Sequence, residues 1–248
     1  MKKDMFFLCG YMRCGNTVLT SIINQNPELN ISPNSIVPEM IYNMHLLQEG
    51  TIYQEQKDEK SFKNVLSAIP QNYYKDSKAK AIIDRGPWST PANYELLKYM
   101  GYKGKFIYLV RPLREILESF CRVVRPKPHH VENFCDYLMH ESGPIGKSVL
   151  GLNYLKKVKK KNVLFINYHD FCKQPQKIVK ELYKFLKIPY YKKHRYEDLD
   201  QIDEKHEQTK IRTDKIKSIK HKFIRKVPLG VIKKYEKSFV SSLCFFFF

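Results

Sequence analysis

FFLCGYMRCGNTVLTSIINQ, residues Phe6–Gln25, passes from one type of backbone to another within twenty positions. Together with Met5 before it, Phe6-Phe7-Leu8-Cys9 is a short continuous apolar run of the kind that forms a buried strand, and Gly10 ends it. From Val18 onward the apolar positions Val18, Leu19, Ile22 and Ile23 recur at helical spacing. Between strand and helix, Gly10 to Thr17 has the G-x-x-x-x-G-x-T spacing of a P-loop, whose amides and helix N-terminus cradle a phosphate-like anion. Asn16 occupies the position where a nucleoside triphosphatase carries lysine, so Arg13 is the only cation in the loop. The spacing therefore predicts an anion pocket without the usual reader of a γ-phosphate.

Working outward, three further apolar runs read as strands: residues 79–83, 105–110 and 162–166. Helical patterns lie between them, over residues 39–48, 91–100, the stretch after Pro112, a segment reaching His140, 145–158 and 174–186. Asn30 to Pro38 reads as a polar, proline-bounded loop, and Gln54 to Lys63 as a mixed charge run on an exposed face or loop. The alternation predicts an α/β three-layer sandwich, a mainly parallel sheet with helices on both faces, of P-loop NTPase-like type. We expect one domain over residues 1–248, with its core in 1–190 and a basic segment in 191–248; a chain of 248 residues suits one sizeable core.

The charge balance is 44 Lys and Arg against 25 Asp and Glu, a formal +19, which points to anionic partners or surfaces. The cysteines Cys9, Cys14, Cys121, Cys135, Cys172 and Cys244 make no C-x-x-C pair and no zinc spacing, so free thiols and no metal are expected. No apolar run reaches the roughly 18 residues of a membrane span, and the N-terminal run is too short for a signal peptide, which predicts a cytoplasmic protein. The ending Cys244-Phe245-Phe246-Phe247-Phe248 is oddly apolar and leaves peripheral membrane contact open.

In parallel α/β sheets ligands bind outside the carboxyl ends of the strands. Three such ends carry polar residues here: Cys9-Gly10, Ile83-Asp84-Arg85 and Val110-Arg111. Asp84 at a strand end resembles the Mg²⁺-holding aspartate of a P-loop kinase, but without the loop lysine that reading loses its main support.

These residues together carry a resemblance. The loop Gly10 to Thr17 resembles the 5′-phosphosulfate loop of sulfotransferases that use 3′-phosphoadenosine 5′-phosphosulfate (PAPS). KFIYLVRPLREILESFCR, residues Lys105–Arg122, is similar to their 3′-phosphate motif, in which a serine follows a strand-ending arginine by eight residues, as Ser119 follows Arg111. Phe165 to Phe171, followed by Pro175 and by Phe185-Leu186-Lys187-Ile188-Pro189, is similar to the family's tyrosine-centred segment and its F-L-x-I-P.

The resemblance implies a PAPS-dependent sulfotransferase with no metal. Gly10, Arg13, Cys14, Gly15, Asn16 and Thr17 would hold the phosphosulfate; Arg111 and Ser119 would hold the 3′-phosphate, with Tyr168 as a further cofactor contact and Lys210 and Arg212 as a late basic segment. Ser119 lies about 12 Å of helical rise beyond Arg111, so both reach one phosphate only if Arg111 extends along the helix. Arg13 is the expected catalytic cation. The general base is open between Asp84 and Glu39, with His45, His129 and His130 as outsiders. Arg85, Trp88, His129 and His130 are the candidates for the acceptor. The acceptor class expected from the charge is an acidic glycan or peptide, and no specific nucleic acid is expected. Two other readings are a P-loop phosphotransferase and a non-enzymatic basic anion-binding module.

Overall fold

The computed structural model describes residues 3–32, 34–158, 160–197, 199–202 and 208–211. In chain order its elements are β1 (Asp4–Gly10), α1 (Asn16–Ile23), β2 (Leu29–Ile31), α2 (Val37–Leu46), α3 (Thr51–Gln56), α4 (Glu59–Tyr73), β3 (Ala81–Arg85), α5 (Pro91–Tyr99), β4 (Phe106–Val110), α6 (Leu113–Val124), α7 (Val131–Met139), α8 (Pro144–Leu155), β5 (Val163–Asn167), α9 (Tyr168–Lys173), α10 (Pro175–Leu186), β6 (Leu199–Ile202) and β7 (Gln208–Ile211). Strands β1 to β5 form one sheet in the order β2-β3-β1-β4-β5, and every pairing in it is parallel. The antiparallel pair β6-β7 stands apart from it.

Strand β1 is apolar throughout its middle because helices cover both of its faces. Phe7 and Leu8 are completely buried, and the Phe7 ring packs at 5.0 Å from Trp88 and 5.5 Å from Phe106. On one side β1 pairs with β3, Phe7 opposite Asp84; on the other it pairs with β4, Phe7 opposite Phe106. The chain thus leaves β1 with a strand added on each side of it later. Such a reversal opens a crevice at the carboxyl end of the central strand. This order sets the strand ends that lead to Gly10, Arg85 and Arg111 side by side.

The helices bury the stripes expected of them. Helix α1 buries Leu19, Ile22 and Ile23, and α6 buries Ile116, Leu117, Ser119 and Cys121. Pro112 precedes α6 at its N-cap, with the helix proper beginning at Leu113. One segment differs from the sequence reading. Running into the expected loop Asn30 to Pro38, Leu29–Ile31 forms the edge strand β2, with Leu29 and Ile31 buried and Asn30 between them turned to Ser77. The charge run keeps its exposed face and carries it on two helices, residues 54–56 ending α3 and α4 running on from Glu59: Asp58 accepts a hydrogen bond from the Ser61 amide at 3.0 Å, capping α4. Helix α4 buries only Leu66 and Pro70, so its apolar period is too thin to register in a charged sequence.

Candidate active site

The loop between β1 and α1 is shaped by its own side chains. Gly10 has φ of 137°, and a Cβ there would lie 2.9 Å from the Leu109 carbonyl oxygen. Gly15, at φ of 93°, caps α1 without a side-chain bond, and a Cβ on it would meet the Tyr168 ring at 3.2 Å. The buried Cys14 thiol donates to the Tyr11 carbonyl at 2.7 Å, and burial pushes its pKa up to about 12. Asn16 Nδ2 donates to the same carbonyl at 3.2 Å, while its Oδ1 is buried without a partner. Cys14 and Asn16 therefore brace the loop from inside. Thr17 follows half-buried in the first turn of α1, where helix amides lack intrahelical partners.

Arg13 is turned the other way. It is exposed, and its backbone has φ of 67°, a left-handed value that costs a non-glycine residue energy. Its Nε donates to Ser119 Oγ at 3.2 Å, and its carbonyl accepts from Arg111 Nη1 at 2.7 Å. Partial burial lowers the Arg13 pKa, and the neighbouring cations Arg111 and Arg122 lower it further. Arg111 is 6% exposed, pairs through Nε with Glu115 at 3.0 Å, and lies 4.2 Å above the centre of the Tyr168 ring. His169 Nε2 holds the other Glu115 oxygen at 2.8 Å. Arg111 and Ser119 are thus brought together in a way the spacing did not foresee. Arg111 reaches one turn along α6, to Glu115, and Arg13 joins it to Ser119.

On the other side of the loop lies a cleft of about 430 Å³, lined by Gly10, Met12 and Asn16, by Asn34, by Arg85 to Pro87 with Ser89 and Thr90, and by residues of α7, α8 and the turn between them. Arg85 lines it. Glu39 is exposed in the first turn of α2, next to Pro38, whose ring abuts Gly86 in the cleft wall. The other candidates lie elsewhere. Asp84 is 0% exposed and accepts from Ser35 Oγ at 2.7 Å, Tyr74 Oη at 2.5 Å and Trp88 Nε1 at 2.7 Å. Burial raises its pKa. Trp88, 1% exposed, belongs to the same buried knot and not to the lining. His129 and His130 are exposed on the short turn Pro128–His130, their ring centres 4.1 Å apart, and neither lines the cleft. Helix α2 carries His45 in its last turn. Lys210 falls in β7 opposite Asp200; Arg212 and the terminal phenylalanines lie outside the described residues.

Sequence reasoning missed Tyr137, Ser142, Lys147 and Ser148, which form the far wall of the cleft. They come from a stretch whose helical period is plain but whose lining positions carry no motif.

The model of the sulfotransferase domain family matches residues 3–242. The chain belongs to the sulfotransferase family. Sulfuryl transfer is the activity that this membership supports. Solved structures of similar fold include the sulfotransferase domain of the Synechococcus PCC 7002 olefin synthase, with a TM-score of 0.55 and 18% identity over 96% of both chains. The sulfotransferase domain from the curacin biosynthetic pathway gives 0.51 and 17% identity over 95% of this chain and 91% of the other. A sulfotransferase from Alicyclobacillus acidocaldarius gives 0.52 and 15% identity over 76% of this chain and 83% of its own. No curated protein sequence matches the chain. At these identities the structural likeness speaks for the fold, and the chemistry must be argued from this family member's own residues.

Proposed function

We propose that the protein transfers the sulfuryl group of PAPS to a hydroxyl or amine of an acceptor, with no metal. The observation that carries this reading is the position of Arg13, which joins the loop to Ser119 by its side chain and to Arg111 by its carbonyl. PAPS has two separated anionic ends, and these residues offer two cationic places joined at one arginine. The fit is supported by Gly10 and Gly15, where a Cβ would push Leu109 and the Tyr168 ring against the loop, and by three arginines crowded closely enough that Arg111 and Arg122 lower the pKa of Arg13. Bound PAPS would supply a sulfuryl group on a phosphate leaving group.

The loop amides with Arg13 and Thr17 would hold the phosphosulfate end; Arg111, Ser119 and Tyr168 would hold the 3′-phosphate. Arg13 balances the charge that develops on the departing bridge oxygen. Arg85 faces the acceptor side. Of the two carboxylates open as general base, Asp84 has its oxygens engaged by three buried donors, and Glu39 stands exposed beside Pro38, outside the cleft lining. Asn16 folded onto the loop leaves no lysine to read a γ-phosphate.

The test is thermal stabilisation by adenosine 3′,5′-bisphosphate in EDTA, compared with ATP and Mg²⁺. Stabilisation by the bisphosphate alone, lost in Arg13→Ala, is expected. Stabilisation by ATP with Mg²⁺ and none by the bisphosphate overturns the reading.

A further inference from the structure

A carboxylate beside a guanidinium commonly closes on it as a fork, with two parallel N–H···O bonds. Glu115 does not close on Arg111 in this way. Its Oε2 accepts from Arg111 Nε at 3.0 Å, while its Oε1 is turned aside to His169 Nε2 at 2.8 Å. Opposite a carboxylate oxygen, Nε2 must carry a ring proton, so His169 is the donor in this bond. The sequence seats it there through the neighbouring strand. Asn167 pairs with Val110, the residue before Arg111, and caps α9 by accepting from the His169 and Asp170 amides at 2.8 and 3.3 Å. Tyr168 and His169 thus arrive together beside Arg111, one ring under the guanidinium and the other on its acid.

The consequence falls on the part of Arg111 that is left over. Glu115 takes Nε, the Arg13 carbonyl takes Nη1 at 2.7 Å, and the Tyr168 ring covers one face. Both N–H groups of Nη2 have no acceptor among the described residues. Nη2 lies on the same edge of the guanidinium as the Nε proton, so a Glu115 free to swing would take it with Oε1. Unmade donors on a buried arginine are unfavourable until an anionic oxygen meets them. The bond from His169 holds Glu115 back from that place.

We propose that His169 is a positioning residue of the donor site: it restricts Glu115 to one bond with Arg111 and so keeps Nη2 open for a phosphate of the donor. This rests on the sulfuryl-transfer reading and adds to it the control of its arginine. Glu115 is then both the anchor of Arg111 and the internal competitor of the phosphate.

The test is calorimetric titration of adenosine 3′,5′-bisphosphate, in EDTA, against the full chain and three variants. His169→Ala is expected to bind about tenfold more weakly, since Glu115 closes on Nη2 and displaces a charge-assisted bond to phosphate. His169→Gln retains a donor for Oε1 and stays within about threefold of the unmodified chain. In His169→Ala combined with Glu115→Gln, the carboxamide oxygen still accepts from Nε but no second carboxylate oxygen remains to take Nη2. Affinity should return to within about threefold of the unmodified chain, whereas two merely structural losses would add. Denaturant unfolding accompanies each titration; where His169→Ala does not fold, His169→Leu, equally without a donor, replaces it in the single and the double variant. A single variant that binds as tightly as the unmodified chain, or a double variant that binds no more tightly than the single one, overturns the assignment and leaves the donor reading standing. No binding of the bisphosphate to the unmodified chain overturns the donor reading itself.

Discussion

Arg13 and Asp84 show how differently two charged residues of one active-site region can be used. Arg13 keeps a strained backbone and an exposed guanidinium, which is costly for folding and useful only if an anion is to be met. Truncating it to Ala removes the cation from the developing charge, so kcat should fall by about 10²–10³, as for loss of a preorganised donor. Steady-state kinetics on Arg13→Ala at saturating donor checks this, and a loss below tenfold removes Arg13 from the chemistry. Asp84 is instead enclosed by Ser35, Tyr74 and Trp88. Its carboxyl is raised by burial, so the folded state disfavours the charged form. The associated stability is present below the ordinary aspartate range and is lost as pH rises through the folded pKa. Asp84→Asn removes this dependence. Its melting temperature relative to the unmodified chain should therefore climb as pH rises from about 4 toward neutral, with turnover largely kept. A flat difference, or loss of turnover with donor binding intact, would return Asp84 to the role of base.

At the scale of elements, the loop and α1 meet α6 and α9 through very small clearances. Gly15 faces the Tyr168 ring, and Tyr168 lies under the Arg111 guanidinium. Gly15→Ala combines a left-handed backbone with a side-chain clash. It should lower stability by about 1–3 kcal/mol and weaken adenosine 3′,5′-bisphosphate binding by shifting Tyr168 from beneath Arg111. Denaturant unfolding and calorimetric titration of the variant measure the two effects, and unchanged affinity would detach Tyr168 from the 3′-phosphate end. The strand-loop-helix unit and the strands β3, β4 and β5 were legible because buried parallel strands are near-continuous apolar runs. Strand β2 was not, since Leu29–Ile31 is too short to establish a period. The loop itself was legible because loop geometry fixes residue spacing. The far wall of the cleft was not, because Tyr137, Ser142, Lys147 and Ser148 meet the loop only through the packing of α7 and α8. Asp84 and Trp88 could not be told from site residues by sequence, since a strand end can point its side chains into the core as readily as into the crevice.

For the molecule as a whole, the formal charge of +19 leaves two accounts of anion binding in competition, a general basic surface and a built site. They differ in their response to salt. Surface attraction is screened over a Debye length of roughly 10 Å at 0.1 M and 3 Å at 1 M, whereas buried pairs are screened much less. Arg111 is buried and clasped between Glu115, Tyr168 and the loop carbonyl, so a phosphate held by it in the proposed reading would be enclosed by protein. Affinity for adenosine 3′,5′-bisphosphate should therefore fall only a few-fold, about threefold to tenfold, between 0.05 and 0.5 M KCl, while affinity for long-chain polyphosphate falls by orders of magnitude. Titration of both ligands across that range, in EDTA, separates the accounts. If the bisphosphate declines as steeply as the polyphosphate, the loop contributes no more than the rest of a basic surface. A shallow decline, abolished together with binding in Arg111→Lys, marks a bidentate arginine site that a point charge cannot replace.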